Sequence, residues 1–416
     1  MSEIHAKPAR EETKVDSPVR WIPDDRDQPP PTSGVGLCLS GGGYRAMLFH
    51  AGSLWRLNEL GYLKRLTRVS SVSGGSIAAA VLGSRWGSLE FTPSGPGGAP
   101  VAANLGAQVV APLRDLAART LDVPAVLGGL LLPGVTINTR LAAAYRRHLF
   151  GAATLRDLPS DEEGPRFVIN ATNLQSGVLW RFSRPYLADY RVGMINEPTV
   201  SLADAVAASS AFPPILAPAR LRFDEGQYVP KSGEDLQTSP FTTRPTLADG
   251  GVYDNLGLET AWKNCKTVLV SDGGGAMEPD GGRFGPFPGY RWRDWATQMV
   301  RVTTVIDNQV RSLRKQQTIE GYDAPEDSDE HRLGTYWGIR SDIANFKLPT
   351  SMEAPYKETI RLAKVATRLA RLDVATQELL INWGYAICDA GMRQWVDKTL
   401  LPPPGFPYPG RPLARG

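Results

Sequence analysis

Two short stretches combine residue types and spacings able to do chemistry. The first, GLCLSGGGYRAMLFHAG from Gly36 to Gly52, reads as a strand, a turn of adjacent glycines and a helix start. Backbone N–H groups at such a turn, helped by the helix macrodipole, attract a negative group. Two occupants fit: a nucleotide phosphate, or the oxyanion of an acyl-transfer intermediate. A dinucleotide site needs G-x-G-x-x-G and an acid after the second strand, and a P-loop needs a Gly-Lys-Ser/Thr ending. This turn, SGGGYR, has neither. The second stretch is Ser71-Val72-Ser73-Gly74-Gly75, a serine among small residues between an apolar strand and a helix. That is the setting of a nucleophile elbow, although Ser71 stands where G-x-S-x-G has its first glycine. A rival frame, Gly74 to Ala78, would centre on Ser76, and the plain alternative is a helix cap. Ser73 is preferred because it directly follows the strand, whereas Ser76 would fall in the first helical turn.

A nucleophilic serine needs a base. The chain has four histidines, His5, His50, His148 and His331. None lies in a loop after a late strand, where a triad histidine belongs. Aspartate remains. Asp249 opens DGGVYDN and Asp272 opens a second Asp-Gly-Gly, and spacing alone does not separate them.

These residues need elements to position them. From Gly34 the pattern alternates strand and helix: VGLCLS, then YRAMLFHAGSLWRLNELGYL with helical spacing, then LTRVSSV, then SIAAAVLGSRW. RFVINATNL and TVLVSD read as later strands. Alternation of this kind predicts a layered α/β core. Residues 1–33 read as a flexible lead-in, 34–275 as the catalytic domain with a lid at about 101–150, and 276–416 as a helical extension with a proline-rich tail. In that extension WRDWATQMVRVTTVIDNQVRSLRKQQ and APYKETIRLAKVATRLARLDVATQELLINWGYAI each read as a long amphipathic helix.

The composition is that of an ordinary globular chain: 42% hydrophobic, 21% charged, net charge +3, which gives no case for nucleic acid. Three widely spaced cysteines suggest neither a metal cluster nor a disulfide framework. The polar N-terminus is not a secretory signal, and no apolar run is long enough to span a bilayer. A cytoplasmic protein, peripheral at most, is the expectation.

Four ordered blocks make the chain similar to the patatin-like phospholipase family: SGGGYR, SVSGGS, AVAASSAFPPILAP (Ala205 to Pro218) and LADGGVYDN. The resemblance runs from about Gly34 to Asp272. It implies a three-layer α/β/α sandwich with a mostly parallel central sheet, here with a C-terminal helical extension. It implies a Ser–Asp dyad of Ser73 and Asp249, in preference to Asp272. It also implies an oxyanion turn of Gly41, Gly42, Gly43 and Arg45, to which the N–H of Gly74 would add. No metal or other cofactor is expected for such a dyad. The activity implied is hydrolysis of carboxylic esters in phospholipid or other membrane lipids. The alternative is a catalytically silent or signal-regulated lipid-binding effector on the same fold. The resemblance leaves an activator open, since some bacterial relatives are effectors switched on by a nucleotide or a host factor.

Asp249 would need burial to raise its pKa from the ordinary 3.9 or so, with Arg45 opposing if close. Arg45 would orient the turn or meet a phosphate head group. Ser40 would support the turn, and Asp254 and Asn255 would cap the following helix rather than brace the loop. A chain without a spanning helix reaches lipid by reversible docking. VPAVLGGLLLPGVTI, with Leu130, Leu131 and Leu132, is one candidate surface. The helix from Trp292 to about Gln316 is the other, with Trp295 and Val302 beside Arg301, Arg311, Arg314 and Lys315.

Overall fold

The computed structural model describes residues 31–93, 98–122, 136–277 and 291–414, the stretch 291–297 by its backbone only. His5, most of the lead-in and the apolar run through residue 135 lie outside these residues.

Apolar, β-branched runs form the first strands: β1 (Thr32–Leu39), β2 (Leu66–Val72) and, after a short hairpin of β3 (Phe91–Pro93) and β4 (Pro100–Ala102), β5 (Arg166–Asn173). A meander follows, β6 (Leu179–Phe182), β7 (Tyr186–Asp189) and β8 (Gly193–Asn196). β9 (Ala219–Arg220), β10 (Thr246–Asp249), β11 (Cys265–Asp272) and β12 (Leu333–Gly338) complete the set. The main sheet runs β12-β11-β1-β2-β5-β6-β7-β8, with β10 paired to β5 and β9. Its first five strands are mutually parallel, and β6, β7, β8 and β10 are antiparallel to their neighbours.

The helices are α1 (Gly43–Glu59), α2 (Gly74–Ser84), α3 (Ala111–Ala117), α4 (Ile137–Tyr145), α5 (Leu202–Ser209), α6 (Gly251–Asp254), α7 (Leu258–Trp262), α8 (Arg291–Asp323), α9 (Tyr356–Ala363) and α10 (Val374–Gly391). Strand alternation sorts the core into two layers. Leu37, Leu39, Val69 and Leu269 join the cluster that includes residues of α1, α2 and α10. Cys38, Val268 and Val270 face the other way, onto Leu258 and Ala261 of α7. The fold is thus the α/β/α sandwich expected, with a mostly parallel sheet.

The region after residue 276 departs from a simple appendage. β12 extends the same sheet, and α10 packs along α1 in the same core. Their crossing is backbone to backbone. A Cβ on Gly52 would fall 1.9 Å from the carbonyl oxygen of Ile381, and one on Gly384 would fall 1.9 Å from that of Phe49. The second long helix read from sequence is in fact two, α9 and α10, separated by residues 364–373. Helical propensity loses there to tertiary hydrogen bonds. The carbonyls of Arg368 and Leu369 accept from the N–H groups of Tyr44 and Leu121, and Asp373 caps α10 by accepting from Thr376 N–H at 2.9 Å.

Candidate active site

The glycine turn follows β1 and the serine elbow follows the adjacent β2, so both stand at the carboxyl edge of the sheet, where α/β proteins carry their sites. Asp249 is the last residue of β10, which pairs with β5 next to β2.

Ser73 links β2 to α2 with φ 51° and ψ −119°, a conformation that non-glycine residues rarely adopt. The surroundings hold it there. Its own N–H donates to Ser209 Oγ at 2.9 Å, and Ser209 donates to the carbonyl of Asn170 at 2.6 Å. Ser73 remains half-buried, whereas Ser71 and Ser76 are fully buried beneath it. Ser76 Oγ bonds Ser71 Oγ at 3.1 Å and Ser209 Oγ at 2.9 Å, so it is committed to the scaffold. Ser71, where G-x-S-x-G has its first glycine, also donates to the carbonyl of Val168, at 3.3 Å.

Asp249 is 2% exposed. Its Oδ1 accepts from Gly251 N–H at 2.8 Å, and the Ser73 side chain stands near enough to favour the ionised carboxylate. Burial pushes its pKa up from 3.8 to about 7, and nearby Asp307 pushes the same way, against the pull of Gly251 and Ser73. Asp272 stands elsewhere. It accepts from Tyr336 Oη at 2.7 Å and from Gly274 N–H at 2.8 Å, with Arg311 Nε at 3.8 Å. Burial works to raise its carboxyl, but Arg311, Tyr336 and Gly274 together hold it below the ordinary value.

The glycine turn abuts the elbow. A Cβ on Gly41 would lie 3.2 Å from Ser73 Cβ, and one on Gly74 would lie 2.2 Å from the carbonyl oxygen of Gly43. Gly41 N–H is occupied by Asn255, whose backbone oxygen accepts at 3.0 Å and whose Oδ1 accepts at 3.2 Å. The N–H groups of Gly42, and of Gly43 and Gly74 at their helix starts, meet no acceptor among the described residues. Ser40 supports the turn by accepting from Gly273 N–H at 2.8 Å.

Arg45 is not aimed at the site. Its buried guanidinium donates to the carbonyl of Gly273 at 3.0 Å, to that of Val365, and to Thr367 Oγ1 at 2.8 Å. It fastens the turn to the segment between α9 and α10. Burial, with Arg311 nearby, lowers its pKa to about 9. His50 is buried behind the turn, bonded to Ser271 Oγ at 2.8 Å and the carbonyl of Ser40 at 2.9 Å. Burial lowers its pKa to about 4, against the Ser40 bond and the Asp272 charge. His331 bonds the carbonyl of Ala324 at 2.8 Å. Neither His50 nor His331 therefore bonds Ser73 or Asp249.

Asp254 caps α7 by accepting from Glu259 N–H at 2.8 Å. Asn255 does not cap; it braces Gly41, and its Nδ2 donates to Asp307 of α8. The basic face expected on α8 is also different. Arg311 is 4% exposed and pairs with Asp307 at 2.8 Å, and Arg314 bonds Glu259 at 3.2 Å. The exposed side chains of this helix include Met299, Val302, Ile306 and Leu313. Sequence reasoning did not single out Asp307, Ser209 or Asn170. Asp307 lies in a helix readable only as amphipathic, and no local spacing marked the others.

A glycine turn and a serine elbow thus stand at adjacent strand ends of a mostly parallel α/β sheet. The Patatin-like phospholipase family model matches residues 37–262, more than half of the chain, and the chain belongs to that family. A search of curated protein sequences returned no match. Among solved structures, the chain is similar to human GIVD cytosolic phospholipase A2, at 12% identity and a TM-score of 0.49, covering 87% of this chain and 59% of that one. VipD from Legionella pneumophila follows at 16% identity and a TM-score of 0.30, covering 85% and 67%. The chain thus spans less than two thirds of the human protein's length.

Proposed function

We propose that this chain is a lipid acyl hydrolase, phospholipase A-like, that cleaves carboxylic esters of membrane lipids with Ser73 as nucleophile and Asp249 as base. One observation carries the reading. A strained, half-buried serine stands beside an aspartate that burial has brought to about 7, close to the pH at which a general base works best. Asp249 takes the proton as Ser73 Oγ attacks the ester carbonyl carbon. The tetrahedral oxyanion sits against the N–H groups of Gly42, Gly43 and Gly74, each worth roughly 3 kcal/mol in the transition state. Collapse expels the alcohol portion of the lipid, which receives the proton from Asp249. Water then attacks the acyl-serine with Asp249 again the base; the bond to Ser73 Oγ breaks, Asp249 returns the proton to Oγ, and a fatty acid leaves. Gly41 holds the turn in shape rather than facing the oxyanion, because its N–H is spent on Asn255.

Family membership supports lipid as the substrate class, and the matched block contains Asp249 but ends before Asp272. Access to a bilayer is by reversible docking. No helix among the described residues is long and apolar enough to cross a membrane, while α8 exposes an apolar face. The test is hydrolysis of a fluorogenic short-chain ester and of mixed phospholipid vesicles, with products read by mass spectrometry. Ser73→Ala and Asp249→Asn abolish turnover, and Ser76→Ala retains it in the folded fraction. Loss of activity in folded Ser76→Ala with retention in Ser73→Ala would overturn the assignment.

A further inference from the structure

Three charged side chains tie α8 to the catalytic centre from outside the family-matched block. Arg311 donates to Asp307 Oδ2 at 2.8 Å and stands 3.8 Å from Asp272. The other oxygen of Asp307 accepts from Asn255 Nδ2. Asn255 in turn accepts from Gly41 N–H through its Oδ1 at 3.2 Å. The chain of donors leaves only one orientation for the Asn255 amide. A backbone N–H can only donate and a carboxylate only accepts, so oxygen faces Gly41 and nitrogen faces Asp307. Asp307 also faces Asp249. The point where a Cβ on Gly251 would stand lies 3.1 Å from Asp249 Oδ1 and 3.2 Å from Asp307 Oδ1. The two carboxylates therefore confront each other across the gap that a side chain at position 251 would fill.

We propose that Asp307 is a positioning residue for the Ser73–Asp249 pair: it locks Asn255 against the glycine turn and sets a negative charge beside the base. The proposal rests on the Ser–Asp reading above. Like charges at this range disfavour ionisation, so Asp307 helps keep Asp249 a base near neutrality rather than an inert carboxylate. The other groups facing the pair act differently. On Asp249 they are the Ser73 hydroxyl, Gly251 N–H and, from α4, the neutral phenol of Tyr145. On Asp307 they are Arg311, Asn255, Asp272 and, from α1, Arg45, while Arg340 acts on Asp272. Arg311 offsets part of the Asp307 charge, which keeps the expected effect moderate.

The test is the pH profile of kcat/KM for a soluble ester in the full chain. In Asp307→Asn the acid-limb midpoint moves down by about half to one pH unit, as removal of a partly compensated charge at this range dictates. Asp307→Glu keeps the charge but displaces Asn255, so the midpoint stays while kcat falls about tenfold or more. A folded Asp307→Asn with the wild-type midpoint overturns the proposal, because a merely structural ion pair would not move it. Should Asp307→Asn fail to fold, Asp307→Glu decides, and wild-type kcat there overturns it. Failure of the underlying reading is separate: it appears as wild-type protein without esterase activity, or as an active Ser73→Ala.

Discussion

Asp249→Asn should produce an inactive protein that is more stable than the wild type in alkali but not in acid. The Asp249 carboxyl is 2% exposed, and burial carries its pKa from 3.8 to about 7. An acid whose pKa is raised on folding binds its proton more tightly in the folded state. The stability it contributes is therefore complete below about pH 4, is lost as pH rises toward 7, and is flat above that. About three pKa units correspond to roughly 4 kcal/mol lost across the window. Asparagine never ionises and loses none of it. Its amide oxygen can still accept from Gly251 N–H, and its amide nitrogen can face Ser73 Oγ. For a chain of this length 1 kcal/mol is about 1 °C in Tm, so the lead of the variant over wild type should grow by about 3–4 °C between about pH 4 and about pH 8. Thermal melts of both proteins at the two pH values measure it directly. An identical Tm difference at both would mean that Asp249 ionises without a desolvation cost, and its role as a tuned base would lose its footing.

Gly74→Ala should cost more than 100-fold in kcat for soluble and vesicle substrates alike, on the order of one lost oxyanion donor, because its Cβ would fall 2.2 Å from the Gly43 carbonyl and pry the elbow from the turn; near-wild-type kcat would show that the two loops need not touch. The paired substitution Val302→Asp and Ile306→Asp, on the exposed face of α8, should weaken binding to phospholipid vesicles, measured by sedimentation, while sparing cleavage of a small ester. Unchanged vesicle binding would remove this face as the docking surface.

The sheet and the two loops at its carboxyl edge were legible because both are local. Alternating strands and helices, a glycine turn and a serine before Gly-Gly announce themselves within a few residues, and the family resemblance singled out Asp249 over Asp272. Three features were not legible, all for want of long-range information. The break between α9 and α10 falls in LAKVATRLARL, a run with good helical propensity, and it exists because Arg45 and Tyr44, more than 300 positions earlier, need its carbonyls. Arg45 itself read as an oxyanion or head-group contact, since nothing near it in sequence reveals those partners. Arg311 read as part of a docking surface; its partner Asp307 is four residues away on the same helix, but Asp272 lies on β11, where no local spacing reveals it.

The crossing of α1 and α10 has a consequence for dissection. Reciprocal contact at Gly52 and Gly384 leaves no room for solvent between the two backbones, and Ser53, next along α1, donates to the Gly384 carbonyl at 3.1 Å and accepts from Trp337 Nε1 at 3.0 Å. A fragment trimmed to the family-matched block would keep Ser73 and Asp249 yet uncover the apolar flank of the helix that starts at the glycine turn. It would also strip Arg45 of all three of its anchors, Gly273, Val365 and Thr367. Such a fragment is expected to aggregate, and a single proteolytic cut in the segment between α9 and α10 would disturb the glycine turn without touching Ser73 or Asp249.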